Sequence, residues 1–386
     1  MFRKIVKGLL TFKLLLLLIL GASIWSTRIP DVAYHTVDAN TAKQDFHVIE
    51  FNDDGEMHDA AQWQALRDRI TQADTAPELL IFIHGWHHSA ASDDENYVAF
   101  KAFYEKMAQQ KPKGELLGLY IGWRGDQYDP FWLDGSTDPS SLVEALDFPT
   151  IISRRIVAER VGENGVASLL DNLELLTDDH ALQRYVVVGH SLGGAIGLYA
   201  SKNRIKTQLI EHKPSPNLVV LLNPAVTTNT YKPLDEWVSA EGDKPRMLVL
   251  QSKGDYAVKK AFNWLKEGER ALGNSWAITH DIDLCPGNDC TRQIKLPQAL
   301  VTHDATPGCM MVLPNTGWKI RARLHARRTV KTCIDANQQA VWVLAVSDDI
   351  INGHNGILTG QHAIALAETM TMFDLHPAPM QLARDQ

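Results

Sequence analysis

The chain has 386 residues, 45% of them hydrophobic and 22% charged, which excludes a peptide scaffold and wholesale disorder and allows one large domain or two to three small ones. Thirty-eight basic residues stand against 46 acidic ones, a net charge of −8. Five of the basic residues fall in the first 28, which hold no acid, so the remainder carries −13; a body this acidic is repelled by a phosphate backbone, which argues against a nucleic-acid partner.

Residues 1–13 are basic, and residues 14–25 form an apolar run that ends in Gly21, Ala22 and Ser23 before Ile24 and Trp25. This is the layout of a secretory signal peptide, with cleavage expected after Ala22 or Ser23. An uncleaved anchor is the alternative: residues 9–25 number 17, interrupted by Lys13, against the roughly 20 that a bilayer requires. Either reading sets residues 1–28 apart and places the body, 29–386, outside the cytoplasm, periplasmic or extracellular. The anchor reading adds association with the membrane. The four cysteines, Cys285, Cys290, Cys309 and Cys333, lie in one C-terminal stretch. In an oxidising compartment an even count favours two disulfides, and the spacing suggests 285–290 and 309–333, although four cysteines permit three connectivities. Zinc is the weaker alternative, because no C-x-x-C pair occurs.

Strands and helices then alternate. FHVIEF at 46–51 is a short strand, and residues 59–73 have helical spacing with Trp63, Leu66 and Ile70 on one face. LLIFI at 79–83 is a continuous apolar run of strand length, as expected for a buried parallel strand. A helix is expected at 97–107, strands at 116–121 and 186–188, and a helix at 192–203. Further strands are expected at 218–222 and 247–250, a helix at 264–272, a strand VWVLAV at 341–346 and a last helix at 359–372. The pattern implies a mostly parallel sheet covered on both faces.

Two stretches interrupt it. Residues 124–184 are long for one crossover and carry Tyr128, Phe131, Trp132 and Leu133; they read as a cap-like insert over an apolar pocket, or as aromatics that pack the insert down. Residues 282–340 hold the cysteines and an alternating run, Ile320, Ala322, Leu324 and Ala326 against Arg321, Arg323, His325 and Arg327, which reads as a strand with a basic, solvated face.

The chemistry concentrates in three places. Residues 185–194, YVVVGHSLGG, are a strand running through G-x-S-x-G into a helix. Gly189 and Gly193 are required because a Cβ would clash in so sharp a turn. The turn lifts the Ser191 hydroxyl clear of the sheet at a helix N-terminus, where the N–H of Leu192 can stabilise an oxyanion. In IFIHGW, 81–86, a strand ends in His-Gly; Gly85 permits close backbone approach, and the N–H of Trp86 is the candidate second oxyanion donor. His84, His87 and His88 lack an interleaved carboxylate and read as scaffold and rim rather than metal ligands. The nucleophile needs a His, and the His a carboxylate; after an elbow of this kind they follow in the order acid, then His. Asp255, in QSKGD just past the strand 247–250, is the candidate acid, with Asp281, Asp304, Asp348 and Asp349 as runners-up. Asn223 ends the preceding strand and cannot serve as a carboxylate. His354, in NGHNG after the last strand, is the candidate base. His362 and His376 are expected on or beyond the last helix.

Through FIHGW, VVVGHSLGG, QSKGD and NGHNG the sequence resembles the α/β-hydrolase superfamily, and within it the lipase-like and esterase-like serine hydrolases. The resemblance runs from Leu79 to the last helix, apart from the two inserts. It implies an α/β-hydrolase fold and ester-type acyl transfer by Ser191, Asp255 and His354 on a small-molecule or lipid ester, with no cofactor. The segment GLYIGWRG, 118–125, looks like a strand edge found in such proteins, and Arg124 is given no role beyond a salt bridge near the site. An acyltransferase or thioesterase with the same triad, and a non-catalytic protein on a hydrolase scaffold, are the alternatives.

Overall fold

The computed structural model describes residues 28–112, 114–127, 142–227, 230, 246–252, 254–255, 271–273, 278–286, 311–312, 318–326, 332–333, 340–346 and 351–358. Outside them lie the N-terminal apolar run, the aromatics at 128–133, most of the helix expected at 264–272, the last helix, Cys290, Cys309, Asp304, Asp348, Asp349, His362 and His376.

Seven strands make one all-parallel sheet: β1 (Phe46–Phe51), β2 (Glu78–Ile83), β3 (Leu116–Trp123), β4 (Arg184–His190), β5 (Leu218–Leu222), β6 (Met247–Ser252) and β11 (Val341–Val346). Their order is β1-β3-β2-β4-β5-β6-β11. Helices α1 (Ala60–Thr71), α2 (Glu95–Ala108), α3 (Leu142–Arg160), α4 (Ala167–Asp178) and α5 (Leu192–Ile210) connect them. This is the α/β architecture, a parallel sheet covered on both faces, expected from the alternation.

The sheet separates two apolar layers. Ile81 and Ile83 of β2 with Val187 of β4 face a layer filled by Leu66 and Ile70 of α1, Leu169 and Leu173 of α4, and Ile196 of α5. Leu80 and Phe82 with Val186 and Val188 face the other, filled by Phe100, Phe103 and Met107 of α2. Covering on both faces explains why residues 79–83 of β2 read as an unbroken apolar run: every residue of the strand is buried. Helix starts follow the sequence rules. Asp59 accepts from the Ala61 N–H at the head of α1, and Asp94 from those of Asn96 and Tyr97 at the head of α2.

A six-residue π-helical turn, Val161–Val166, joins α3 and α4 into one crossover layer. Val157, Ala158, Val161, Val166 and Leu170 of that layer are core residues beneath α5. Two glycines in the turn permit close packing on two sides: a Cβ on Gly162 would sit 2.9 Å from the Ile196 carbonyl of α5, and one on Gly165 would meet the Gly55 carbonyl of the β1–α1 turn. In the second interrupting stretch, β7 (Ile278–Pro286), β8 (Met311–Val312), β9 (Trp318–Ala326) and β10 (Thr332–Cys333) form a separate antiparallel sheet. The alternating run at 320–326 is thus strand β9.

The strand order carries the functional consequence. From β2 the chain moves to β3 on one side, and from β4 to β5 on the other. The loops leaving the carboxyl ends of β2 and β4 therefore diverge and leave a crevice between two hydrogen-bonded neighbours, in register with Ile83 opposite Gly189. Crevices at such reversals are where open α/β sheets bind ligands.

Candidate active site

Ser191 sits between β4 and α5 with φ 55° and ψ −118°, a conformation that non-glycine residues adopt only when the surroundings over-determine it. Here they do. The Ser191 N–H donates to the Leu222 carbonyl at 3.0 Å, and its own carbonyl accepts from Ala225 at 2.9 Å and Ala195 at 3.2 Å. The turn is so tight that a Cβ on Gly189 would lie 2.5 Å from the Gly193 carbonyl, and one on Gly193 would fall on the carbonyls of Ile83 and His84. A Cβ on Gly85 would press at 3.0 Å on Ser191 Cβ and at 3.3 Å on His190 Nδ1. Gly85 thus serves the packing of the β2 loop against the elbow.

The structure brings Ser191, His354 and Asp255 together although 163 and 99 residues separate the histidine from its two partners. His354 Nε2 is 2.9 Å from Ser191 Oγ. His354 Nδ1 is 2.8 Å from Asp255 Oδ2. A carboxylate only accepts, so Nδ1 carries the proton, and Nε2 presents its lone pair to the serine hydroxyl. Asp255 is fully buried, whereas the His354 side chain is 20% exposed. Asp255 is placed by the turn after β6, where the Gly254 N–H donates to Ser252 Oγ at 3.1 Å. Of the other carboxylates considered, Asp281 lies within β7 of the second sheet.

His354 rides on a small turn after β11. Asn352 and Gly356 exchange backbone hydrogen bonds at 3.0 and 3.1 Å, and Gly353 between them has φ 62°. Ile351, Ile357 and Leu358 anchor the turn in the core. Two side chains that the sequence does not mark as functional reach its tip. His190 Nε2 is 2.8 Å from the His354 carbonyl, and Asn223 Nδ2 donates to the carbonyls of Gly353 and His354 at 3.1 and 3.3 Å. The only hints in the sequence are that His190 occupies the variable place before the serine and that Asn223 ends a strand beside it.

Leu192 is the first residue of α5, and its N–H belongs to the first turn, whose donors have no partner within the helix. Trp86 follows Gly85 at the end of the neighbouring strand. The loop between them is stiffened by His84, which is fully buried and stacked against Tyr120 and Trp123 with ring centroids 5.5 and 5.6 Å away. His84 Nδ1 donates to the Gly85 carbonyl at 2.9 Å and Nε2 accepts from the Trp123 N–H at 3.2 Å. Burial depresses its pKa to about 4, so it stays neutral. His88 pairs with Asp94 at 3.2 Å, and His87 with Asp126 at 2.9 Å. Among the described residues, no group of three or more His, Cys, Asp or Glu side chains is arranged to hold a metal ion.

Arg124, at the end of β3, pairs with Asp53, which Arg154 of α3 also contacts at 2.9 Å. Burial of Asp53 works against its charge, but the Arg154 and Arg124 guanidiniums outweigh it and hold the carboxyl below its usual range. The Arg154 Nη1 also donates to the Arg124 carbonyl at 2.9 Å. The cluster ties the crossover layer to the β1–α1 turn.

No family model matches the chain, and no curated protein matches its sequence. Among solved structures it is similar to the phospholipase PlaB from Legionella pneumophila in complex with thio-NAD, at 14% identity and a TM-score of 0.26, over 55% of this chain and 47% of that one. The chain thus spans about half the length of that protein. The assignment to the α/β class rests on the sheet itself.

Proposed function

We propose that the protein is a serine hydrolase of carboxylic esters, an esterase or lipase working through an acyl-enzyme. The observation that carries this reading is the hydrogen-bonded chain from Asp255 through His354 to Ser191, with the serine on a strained elbow at a topological switch point.

In this mechanism Ser191 Oγ attacks the ester carbonyl carbon while His354 Nε2 takes the hydroxyl proton. The N–H groups of Leu192 and Trp86 receive the oxyanion of the tetrahedral intermediate; such donors, preorganised where charge develops, are each worth about 10²–10³ in turnover. Collapse expels the alcohol, which takes the proton from His354, and leaves an acyl-Ser191 ester. Water then repeats the sequence with His354 as base and releases the acid. Asp255 holds the Nδ1–H tautomer and stabilises the imidazolium that forms twice per cycle. All the atoms this cycle requires come from the chain, the ester and water.

The experiment is labelling with a fluorophosphonate, which phosphonylates only an activated serine. Stoichiometric modification of Ser191 in the folded protein is expected; no modification at Ser191 would rule the reading out. We also propose that the protein works outside the cytoplasm, on the strength of the basic and then apolar first 25 residues. Fractionation of expressing cells is expected to recover it from the envelope or the medium, and recovery from the cytosol alone would refute export.

A further inference from the structure

His354 can act as the base only if its imidazole stays between Asp255 and Ser191, yet it sits at the tip of a turn. The turn's own backbone holds it through a reciprocal pair of hydrogen bonds between Asn352 and Gly356 and a bond from the Ile357 N–H to the Asn355 carbonyl, none of which engages the carbonyls of Gly353 and His354. Apolar anchoring by Ile351, Ile357 and Leu358 fixes the base of the turn and not its tip. The tip is held by side chains from two other strand ends. His190 ends β4, and its Nε2 reaches the His354 carbonyl at 2.8 Å. Asn223 follows β5, is fully buried at φ 44°, and gives Nδ2 to the carbonyls of Gly353 and His354. Its Oδ1 accepts from the Ser252 N–H at 2.7 Å, three residues before Asp255.

We propose, resting on the serine-hydrolase reading above, that His190 and Asn223 are positioning residues: together they lock the main chain of His354, and Asn223 also ties that loop to the one bearing Asp255. A carbonyl only accepts, so His190 must carry its proton on Nε2. That leaves Nδ1 as a buried atom with no hydrogen-bond partner, an unfavourable arrangement that points to retention of the residue for its donor. Burial and the neighbouring His354, 5.0 Å away between ring centroids, keep His190 neutral. A neutral ring supplies the hydrogen bond without a second positive charge beside the imidazolium of the catalytic cycle. Asn suits position 223 twice over. It tolerates a left-handed backbone better than most residues, and its amide offers a donor to one loop and an acceptor to the other.

The test uses the full chain with His190→Leu, His190→Gln and Asn223→Asp. Gln places an amide nitrogen where the imidazole Nε2 stands; Asp keeps the backbone preference and the acceptor while removing the donor. Loss of about 1 Å in placement costs on the order of 10²-fold in such sites. His190→Leu and Asn223→Asp are therefore expected to lower kcat for a p-nitrophenyl ester by about 10–100-fold with KM within about twofold. His190→Gln is expected to recover most of the His190→Leu loss. Proton NMR adds a readout that needs no turnover: the downfield His354 Nδ1–H resonance of the wild type should broaden or shift in His190→Leu and Asn223→Asp and return in His190→Gln. Folded variants that keep both kcat and that resonance, or equal losses in His190→Leu and His190→Gln, would overturn the proposal. Asn223→Asp carries the test from a separate strand should His190→Leu fail to fold. If the wild type cleaves no ester, the hydrolase reading fails, and the resonance still decides the positioning.

Discussion

At Ser191 the chain is held by what is absent, at His354 by what reaches it from afar. The elbow exists because Gly189 and Gly193 leave room for carbonyls that any Cβ would strike, and its bonds run to backbone atoms of the adjoining β5 and the helix behind it. The tip of the histidine turn has no such steric lock, although at its base a Cβ on Gly356 would lie 2.7 Å from the Asn352 carbonyl. Gly353 has nothing within 4 Å of where its Cβ would be, and the turn's placement comes from side chains 131 and 164 residues away. One half of the site is thus built by local sterics and the other by long-range hydrogen bonds. The first should fail by misfolding, and the second by misplacement within an intact fold.

Substituting Gly193→Ala should show the first mode at its largest. The added methyl would fall on two backbone carbonyls that cannot yield without moving β2, and overpacking of that kind lies among the few mechanisms that cost more than about 4 kcal/mol. Little folded protein and no activity are expected; a variant that melts near the wild-type temperature would show the elbow to be roomier than described.

Asp255→Asn should show the second mode. Asp255 is buried and reaches His354 through one 2.8 Å hydrogen bond, and the amide would favour the wrong tautomer. Turnover is expected to fall by about 10⁴ with near-native circular dichroism and a modest change in KM. Activity within tenfold of wild type would place the acid elsewhere, with Asp348 and Asp349 the next to substitute.

How much of this was legible follows the same division. The strands β2 and β4 announce themselves because a parallel sheet covered twice demands apolar residues on both faces, and the elbow because steric necessity writes glycines at fixed offsets. Chain order alone points to Asp255 and His354. It does not point to His190 and Asn223, because each acts on a main-chain carbonyl, which leaves no residue type to recognise at the receiving end. Asn223 shows in the sequence only the lack of a carboxylate, whereas its amide is what allows it to serve two loops. The crossover layer of α3 and α4 reads as part of an insert because 124–184 is long for one crossover, and the purpose of Gly162 and Gly165, close approach to Ile196 and Gly55, is tertiary.

A smaller effect should appear with pH. Burial holds His47 and His84 near a pKa of about 4 and His190 well below its ordinary value. Each is neutral in the fold but takes a proton near pH 6.5 when unfolded. Their contribution is therefore present above about pH 6.5 and is lost as pH falls from there towards about 4. The melting temperature should drop across that interval; a flat or rising profile would mean that these rings reach water or a carboxylate as they protonate.

The central claim, that Ser191 is the nucleophile of an ester hydrolase, is tested most directly by comparing hydrolysis of short and long p-nitrophenyl esters by the wild type and Ser191→Ala. The wild type should turn over at least one chain length, and the folded variant should be slower by on the order of 10⁴-fold or more. Comparable rates from the two proteins would contradict it.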